Sequence, residues 1–405
     1  MLVLNHAVLI DGAGGVPLPD ATVVIDGGKI GAVGQNLPIP EHAQVIDLKG
    51  KTLLPGLIDA HSHLGGSARV DRPPHTGRFV SYDYAEHREA ALAWGVTTLR
   101  SAGDFMPDIV QFRDEVNAGR HRSPRIVTAG RMIQAQGGHP GYSVLFEDPA
   151  IFQNELVFLT EESDPDAEVG KLAEAGVDWI KLVASGENVI RYPMRLPRLT
   201  TKQLTELTDA AHRRGLPVMV HVDNFDDMRN ALTAGADTIE HTLNNATLGT
   251  RELPEDVLRM LTSRDVWVVP TMVATKHHDG SIPNAQPVFP ALVKAVRAMR
   301  AAGVQLGVGC DSGIPFVSFG ECEHEELELL CSAGMTPLEA ITAATGKNAK
   351  LLRLEKELGR IASGCAADLL AVGGDPLTDI RATRDIRLVI RGGKIVEDRL
   401  LSAAE

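Results

Sequence analysis

Two histidines, His61 and His63, close the stretch Leu54-Pro-Gly-Leu-Ile-Asp-Ala-His-Ser-His-Leu64. The apolar residues before them read as a buried strand. Side chains on a strand alternate between faces, so residues separated by one position point the same way. Two imidazoles converging at a strand end can bind one metal ion. Further on, three more short apolar runs carry a ligand type: Asp178-Trp-Ile-Lys-Leu-Val183 holds Lys181, Val218-Met-Val-His-Val222 holds His221, and Thr238-Ile-Glu-His241 ends in His241. The run Gln305-Leu-Gly-Val-Gly-Cys310 leads into Asp311. Taken singly, His221 or His241 reads as a hydrogen-bonded core histidine. Asp311 alone reads as a cap for a following helix, since Asp is favoured there. Lys181 is harder to dismiss, because an ammonium inside an apolar strand is costly without a partner. Burial lowers a lysine pKa. A neutral amine can add carbon dioxide to give a carbamate, which is a carboxylate able to bridge two metals.

The elements needed to bring these residues together are legible from periodicity. Candidate strands are Leu57–His61, Val96–Ser101, Arg125–Ala129, Asp178–Val183, Pro217–His221, Asp237–Glu240, Val266–Pro270 and Gln305–Gly309. Helical stretches such as Tyr84–Trp94, Thr200–Arg214 and Ala291–Ala302 separate them. Several helices run into a glycine followed by an apolar strand, at Gly95, Gly176, Gly215, Gly235 and Gly303. Glycine after a helix takes the left-handed conformation cheaply. Strands alternating with helices in this number predict an α/β fold, a (β/α)8 TIM barrel. In such a barrel, active residues sit at the C-terminal ends of strands, which is where the histidines, Lys181 and Asp311 fall. The two chain ends share another pattern. Val23–Ile30 and Val389–Val396 each read as a strand, a Gly-Gly turn and a second strand. They predict one small β-domain assembled from both termini. The expected division is residues 1–54 and 349–405 for that domain and 55–348 for the barrel.

Composition excludes several classes. The chain has 405 residues, 44% hydrophobic and 23% charged, which is ordinary for a globular protein. A formal net charge of −13 argues against nucleic acid or an anionic membrane as partner. Cys310, Cys322, Cys331 and Cys365 show no CxxC spacing and read as free thiols in a reducing compartment. No secretory signal and no run long enough to span a bilayer is readable. A cytoplasmic location, a homo-oligomeric state and a small-molecule or dipeptide substrate are expected.

With these residues in place, the sequence resembles the amidohydrolase superfamily over nearly its whole length. The resemblance rests on Pro55-Gly-Leu-Ile-Asp-Ala-His-Ser-His63, then Lys181, His221, His241 and Asp311 in that order. Gly359-Arg-Ile-Ala-Ser-Gly-Cys-Ala-Ala-Asp-Leu369 is similar to that family's closing β-domain motif. The resemblance implies a (β/α)8 barrel plus a β-sandwich built from both termini. It implies that His61, His63 and Asp311 hold the more buried metal and that His221 and His241 hold the more exposed one. A carboxylated Lys181 would bridge the two, and this donor set suits two Zn2+ ions per chain. Trp94-Gly-Val-Thr-Thr-Leu-Arg100, Asp178–Gly186 and Glu328–Leu338 look most like the prolidase-like and carboxypeptidase-like members, close to imidazolonepropionases. Imidazolonepropionases and related deaminases lack the bridging lysine, so Lys181 argues against them. The subgroup often carries Gly-Gly-His-Gly after strand three; here it reads Gly137-Gly-His-Pro-Gly141, which places His139 near the substrate.

The expected reaction is metal-assisted hydrolysis of an amide, in a dipeptide or an N-acyl amino acid. Asp311 would accept a proton from water and pass it to the leaving amine. His139 and Tyr192 could position the carbonyl or a substrate carboxylate. Arg191, Arg195 and Arg198 could clasp that carboxylate or simply line a solvated loop. Hydrolysis of another amide, carbamate, lactone or ester remains an alternative. So do a mononuclear deaminase or cyclic-amide hydrolase and a non-catalytic scaffold, though a scaffold would be expected to have lost ligands.

Overall fold

A computed structural model of the chain describes residues 1–66, 80–143, 153–188, 194–243, 252–279 and 287–400. The N-terminal strands are β1 (Leu2–Leu9), β2 (Leu18–Asp26), β3 (Lys29–Gln35), β4 (Gln44–Asp47) and β5 (Lys51–Pro55). β2 and β3 form the expected hairpin, with Asp26 opposite Lys29 across Gly27 and Gly28. Both turn glycines have positive φ, 54° and 81°. That geometry matches the right-handed twist of the flanking strands. Val23, Ile25 and Ile30 are buried, while Asp26 and Lys29 beside the turn are exposed.

β6 (Leu57–Ser62), β7 (Val96–Ser101) and β8 (Arg125–Thr128) form one parallel sheet. A second parallel sheet contains β9 (Met132–Ala135), β10 (Leu156–Leu159), β11 (Ile180–Val183), β14 (Val218–His221), β15 (Thr238–Glu240), β16 (Trp267–Val269) and β17 (Gln305–Leu306). Its order is β10-β9-β11-β14-β15-β16-β17. Two short strands, β12 (Glu187–Asn188) and β13 (Met194–Arg195), pair separately. Nearly every residue of the parallel strands is buried, so their sequences do not alternate between an apolar and a solvent-facing polar side. Backbone hydrogen bonds join the two sheets at both sides. Asp178 N donates to Thr128 O at 2.8 Å, and Ala60 N donates to Val308 O at 2.9 Å. Beyond β6, Asp311 N donates to His61 O (2.8 Å) and His63 N to Ser312 O (2.7 Å). The arrangement is a TIM-barrel-like α/β fold.

Helices cover these strands where periodicity placed them. Thr201–Arg213 begins with a capping box between Thr200 and Gln203, which satisfies two orphan backbone donors. Phe289–Ala301 and Val80–Ala93 match the other two expectations within a few residues. The five glycines expected after helices, Gly95, Gly176, Gly215, Gly235 and Gly303, have φ of 81°, 85°, 75°, 90° and 80°. β9 and β10 were not expected. Their runs are only four residues long, and β9 carries a buried glutamine, Gln134, in its middle. Periodicity cannot distinguish so short a run from a loop.

The C-terminal strands β18 (Leu369–Gly373), β19 (Ile386–Arg391) and β20 (Lys394–Asp398) join those of the N-terminus. Together they make one eight-stranded sheet of order β20-β19-β18-β5-β1-β2-β3, with β4 also pairing β1. β18 lies antiparallel to β5, Leu370 opposite Leu54. The two Gly-Gly turns abut. A Cβ on Gly393 would come within 2.8 Å of Gly28 Cα, and one on Gly28 within 3.0 Å of Gly392 O, so these two positions admit no larger residue without movement. The four cysteines are free thiols, three of them buried. Among the described residues, no helix is long and apolar enough to cross a membrane.

Candidate metal centre

Strand alternation delivers His61 and His63 to one side of the β6 end. The strands on either side bring the rest. His61 Nε2 lies 3.4 Å from Asp311 Oδ1 and 3.5 Å from Lys181 Nζ. His63 Nε2 lies 3.2 Å from the same Asp311 oxygen. The His241 ring is 4.6 Å from His61 and 4.3 Å from His221, centre to centre. The His139 ring stands 4.7 Å from His221. Thus His61, His63, Lys181, His221, His241, Asp311 and His139 occupy one site at the C-terminal ends of the strands. Four backbones there have positive φ without being glycine: His241 (77°), its neighbour Thr242 (68°), Thr271 (44°) and Asp311 (62°). Such strain persists only where the surroundings hold it, and it concentrates at functional sites.

Each imidazole has one nitrogen tied to the protein. His61 Nδ1 meets Glu240 Oε2 at 2.6 Å, His63 Nδ1 meets Gly103 O at 2.7 Å, and His241 Nδ1 meets Thr271 Oγ1 at 2.9 Å. His221 is reversed, with Nε2 lying 3.2 Å from Asp223 Oδ1. Asp223 in turn accepts from Ser185 Oγ. His139 Nδ1 meets Ser143 Oγ at 2.6 Å. Beneath the site, Asp59 joins the two ligand-bearing segments. It accepts from His61 N at 2.8 Å, Cys310 N at 3.2 Å and Ser312 Oγ at 2.9 Å.

Burial dominates the electrostatics. It pushes Lys181 down to about 8 and His139 to about 4. It holds His221 and His241 well below the ordinary imidazole value. Burial alone would raise Asp311, but the His61 and His63 imidazoles beside it override that and hold the carboxyl well below its ordinary value. His63 shows the reciprocal effect: burial opposes its charge, yet Asp311 raises it to about 9. A carboxylate among mostly neutral imidazoles is the protonation pattern that metal ligands require.

The residues fit a divalent cation. Ligand atoms of His61, His241 and Asp311 lie within 4.8 Å of one another. Asp311 Oδ1 is buried and accepts no hydrogen bond, an orphan that a cation would satisfy. Cys310, Cys322 and Glu323 also cluster within 4.8 Å. There, however, Cys322 Sγ donates to Glu323 Oε2 at 3.1 Å, and burial pushes the Cys310 thiol and Glu323 carboxyl well up. Groups that keep their protons make a hydrogen-bonded joint, not a metal site.

Arg191 and Tyr192 lie outside the described residues, as does the Arg195 side chain. Arg198 pairs with Asp227 at 2.9 Å, so it is held in an ion pair. Sequence reasoning passed over Glu240 and Arg100, which are fully buried and paired at 2.8 Å. The signal was available, since each is a charge inside a run that reads as a barrel strand, as Lys181 is. It also missed Thr271 and Asp223, which nothing in a local pattern marks.

The family model described as "Amidohydrolase family" matches residues 52–396. The chain belongs to the amidohydrolase family. A solved Xaa-Pro dipeptidase with methionine bound in its active site is 28% identical; the match covers 98% of this chain and 99% of that one, with a TM-score of 0.84. Phenylurea hydrolase B is 25% identical, with coverage of 98% and 97% and a TM-score of 0.81. The ochratoxinase of Aspergillus niger is 24% identical over 96% of this chain and 85% of its own.

Proposed function

We propose that this protein is a metal-dependent hydrolase that cleaves an amide bond in a dipeptide or N-acyl amino acid. The observation that carries the reading is the convergence of His61, His63, Lys181, His221, His241 and Asp311 around a buried Asp311 oxygen that accepts no hydrogen bond. The likeness to a Xaa-Pro dipeptidase supports the substrate class. The architecture that goes with it is a closed (β/α)8 barrel over residues 55–348. A β-sandwich from residues 1–54 and 349–405 completes it.

In this reading His61, His63 and Asp311 would hold one Zn2+ and His221 and His241 a second, and Lys181, as a carbamate, would add a further anionic ligand. When bound, such ions acidify a water molecule and polarise a carbonyl. The chain supplies the rest. Asp311 takes the proton of the attacking water at its carboxylate and returns it to the leaving nitrogen. The depressed pKa of Lys181 leaves a substantial neutral fraction at mildly alkaline pH, the form that captures carbon dioxide. His139, kept neutral by burial, stands beside His221 to position the substrate carbonyl. Arg191 and Tyr192 are assigned to the substrate carboxylate from the sequence.

Likeness to a phenylurea hydrolase and an ochratoxinase favours one second reading: the same machinery acting on a different amide. A library of dipeptides, N-acyl amino acids and aryl amides, tested on Zn2+-loaded protein, separates the two. Turnover confined to substrates with a free carboxylate on the leaving side supports the first. Equal rates on carboxylate-blocked substrates support the second. No hydrolysis of any amide would overturn both.

A further inference from the structure

Glu240 and Arg100 are completely buried inside the barrel. Glu240 uses both carboxylate oxygens. Oε2 meets His61 Nδ1 at 2.6 Å, and Oε1 accepts from Arg100 Nη2 at 2.8 Å and from Thr238 Oγ1. Arg100 is itself fixed, since its Nε donates to Ala60 O at 2.5 Å and its guanidinium lies 4.5 Å over the Trp179 ring. A guanidinium has donors only, and an ionised carboxylate only acceptors. The oxygen facing His61 must therefore receive a proton, and that proton belongs on Nδ1. His61 Nε2 is then left with its lone pair toward Asp311 and Lys181.

We infer that Arg100 is a positioning residue that acts through Glu240 to set the tautomer of His61, and so decides which ring nitrogen is available to a metal. The purpose of the device rests on the metal-hydrolase reading, but the tautomer itself can be observed without metal or substrate. A carboxylate on the far nitrogen of a metal-binding histidine fixes both ring orientation and basicity. Here the carboxylate is in turn fixed by a cation that touches neither His61 nor Asp311 among its hydrogen bonds.

The inference has a consequence that a general loss of stability does not. In Glu240→Gln the side chain has one carbonyl oxygen and one amide NH2. Arg100 can face only the oxygen, so the NH2 falls opposite His61 Nδ1 and donates to it. The His61 proton must then move to Nε2, the nitrogen that a metal needs. Adding Arg100→Met frees the amide to turn over, and His61 recovers its proton on Nδ1. The second substitution thus reverses the first.

The test is 15N NMR of ring-labelled histidine in the metal-free protein at pH 8, with the His61 signals identified by their loss in His61→Ala. Wild type should show Nδ1–H, E240Q should show Nε2–H, and R100M/E240Q should show Nδ1–H again. Zn2+ affinity should fall about 10–100-fold in E240Q and rise toward wild type in the double variant. Wild-type His61 with its proton on Nε2 would sink the inference even if no variant folds. So would a double variant with the same tautomer as E240Q. A protein that hydrolyses no amide would overturn the proposed function while leaving the tautomer result intact.

Discussion

Asp311 is the carboxylate that both the charges and the geometry single out. Its Oδ1 lies within 3.4 Å of two imidazoles yet accepts no hydrogen bond, and its backbone is held in a left-handed conformation. Asp311→Asn keeps the size but cannot take up a proton near neutral pH. We expect a folded variant whose turnover falls by roughly 10²–10⁴-fold, the usual contribution of a general acid or base. Turnover within a few-fold of wild type would assign proton transfer to another group. Lys181 makes a separate prediction. A side chain almost wholly buried beside His61 has, among the described residues, no anionic partner within hydrogen-bond reach, which fits a carbamate better than an ammonium. Lys181→Ala should bind about one metal per chain where wild type binds about two, as counted by elemental analysis. Short carboxylic acids should restore part of the second. Equal metal content in the two proteins would remove Lys181 from the bridging role.

Strand ends do the positioning, and the acid stability of the barrel should report it. Burial would push Glu240 up, but Arg100 and His61 overcome this and hold it at about 2, against an ordinary 4.5. A carboxyl depressed in the folded state contributes stability above its unfolded pKa and loses it as pH falls toward the folded value. A fall from 4.5 to about 2 is equivalent to about 3 kcal/mol. Metal-free protein should therefore lose stability between pH 4.5 and 2, as measured by urea unfolding at stepped pH. The Glu240→Gln curve should be flatter there; parallel curves would mean that other carboxyls carry the acid transition. The same strands explain what was legible. β6, β11, β14 and β15 are short, fully buried runs that hold a ligand-type residue or lead directly into one, so both the element and its ligand could be read together. His241 bonding to Thr271, and His221 to Asp223, depend on how neighbouring strands and turns meet in space. No local spacing encodes that. Glu240 was visible in sequence, but its partner Arg100 lies 140 residues away.

At the scale of the whole molecule, the two chain ends are tied into the barrel through β5. β18 pairs with β5 from Leu369 opposite Pro55 to Gly373 opposite Lys51. Gly56 N then donates to Asp368 O at 2.9 Å, directly before β6 carries His61 and His63 away. Leu370 packs so closely on Gly95, at the start of β7, that a Cβ there would lie 2.8 Å from its methyl groups. Asn348 closes the other side, its amide donating to Ile58 O at 2.6 Å and Val308 O at 2.7 Å while Val308 N donates back at 3.0 Å. Asn348→Ala would strand the buried Val308 N, at about 1–3 kcal/mol, and remove the tie between Ile58 O and Val308 O, and should lower the midpoint of thermal unfolding. The terminal strands should be equally indispensable. Ending the chain after Gly364 removes β18, β19 and β20, leaving the apolar edge of β5 unpaired and Leu53 and Leu54 open to solvent. An exposed apolar edge strand favours aggregation. The shortened chain should be insoluble or lack a cooperative thermal transition, and should bind no metal tightly. A soluble product that melts cooperatively and retains full metal content would show instead that the ligand-bearing strands hold their positions without the terminal sheet.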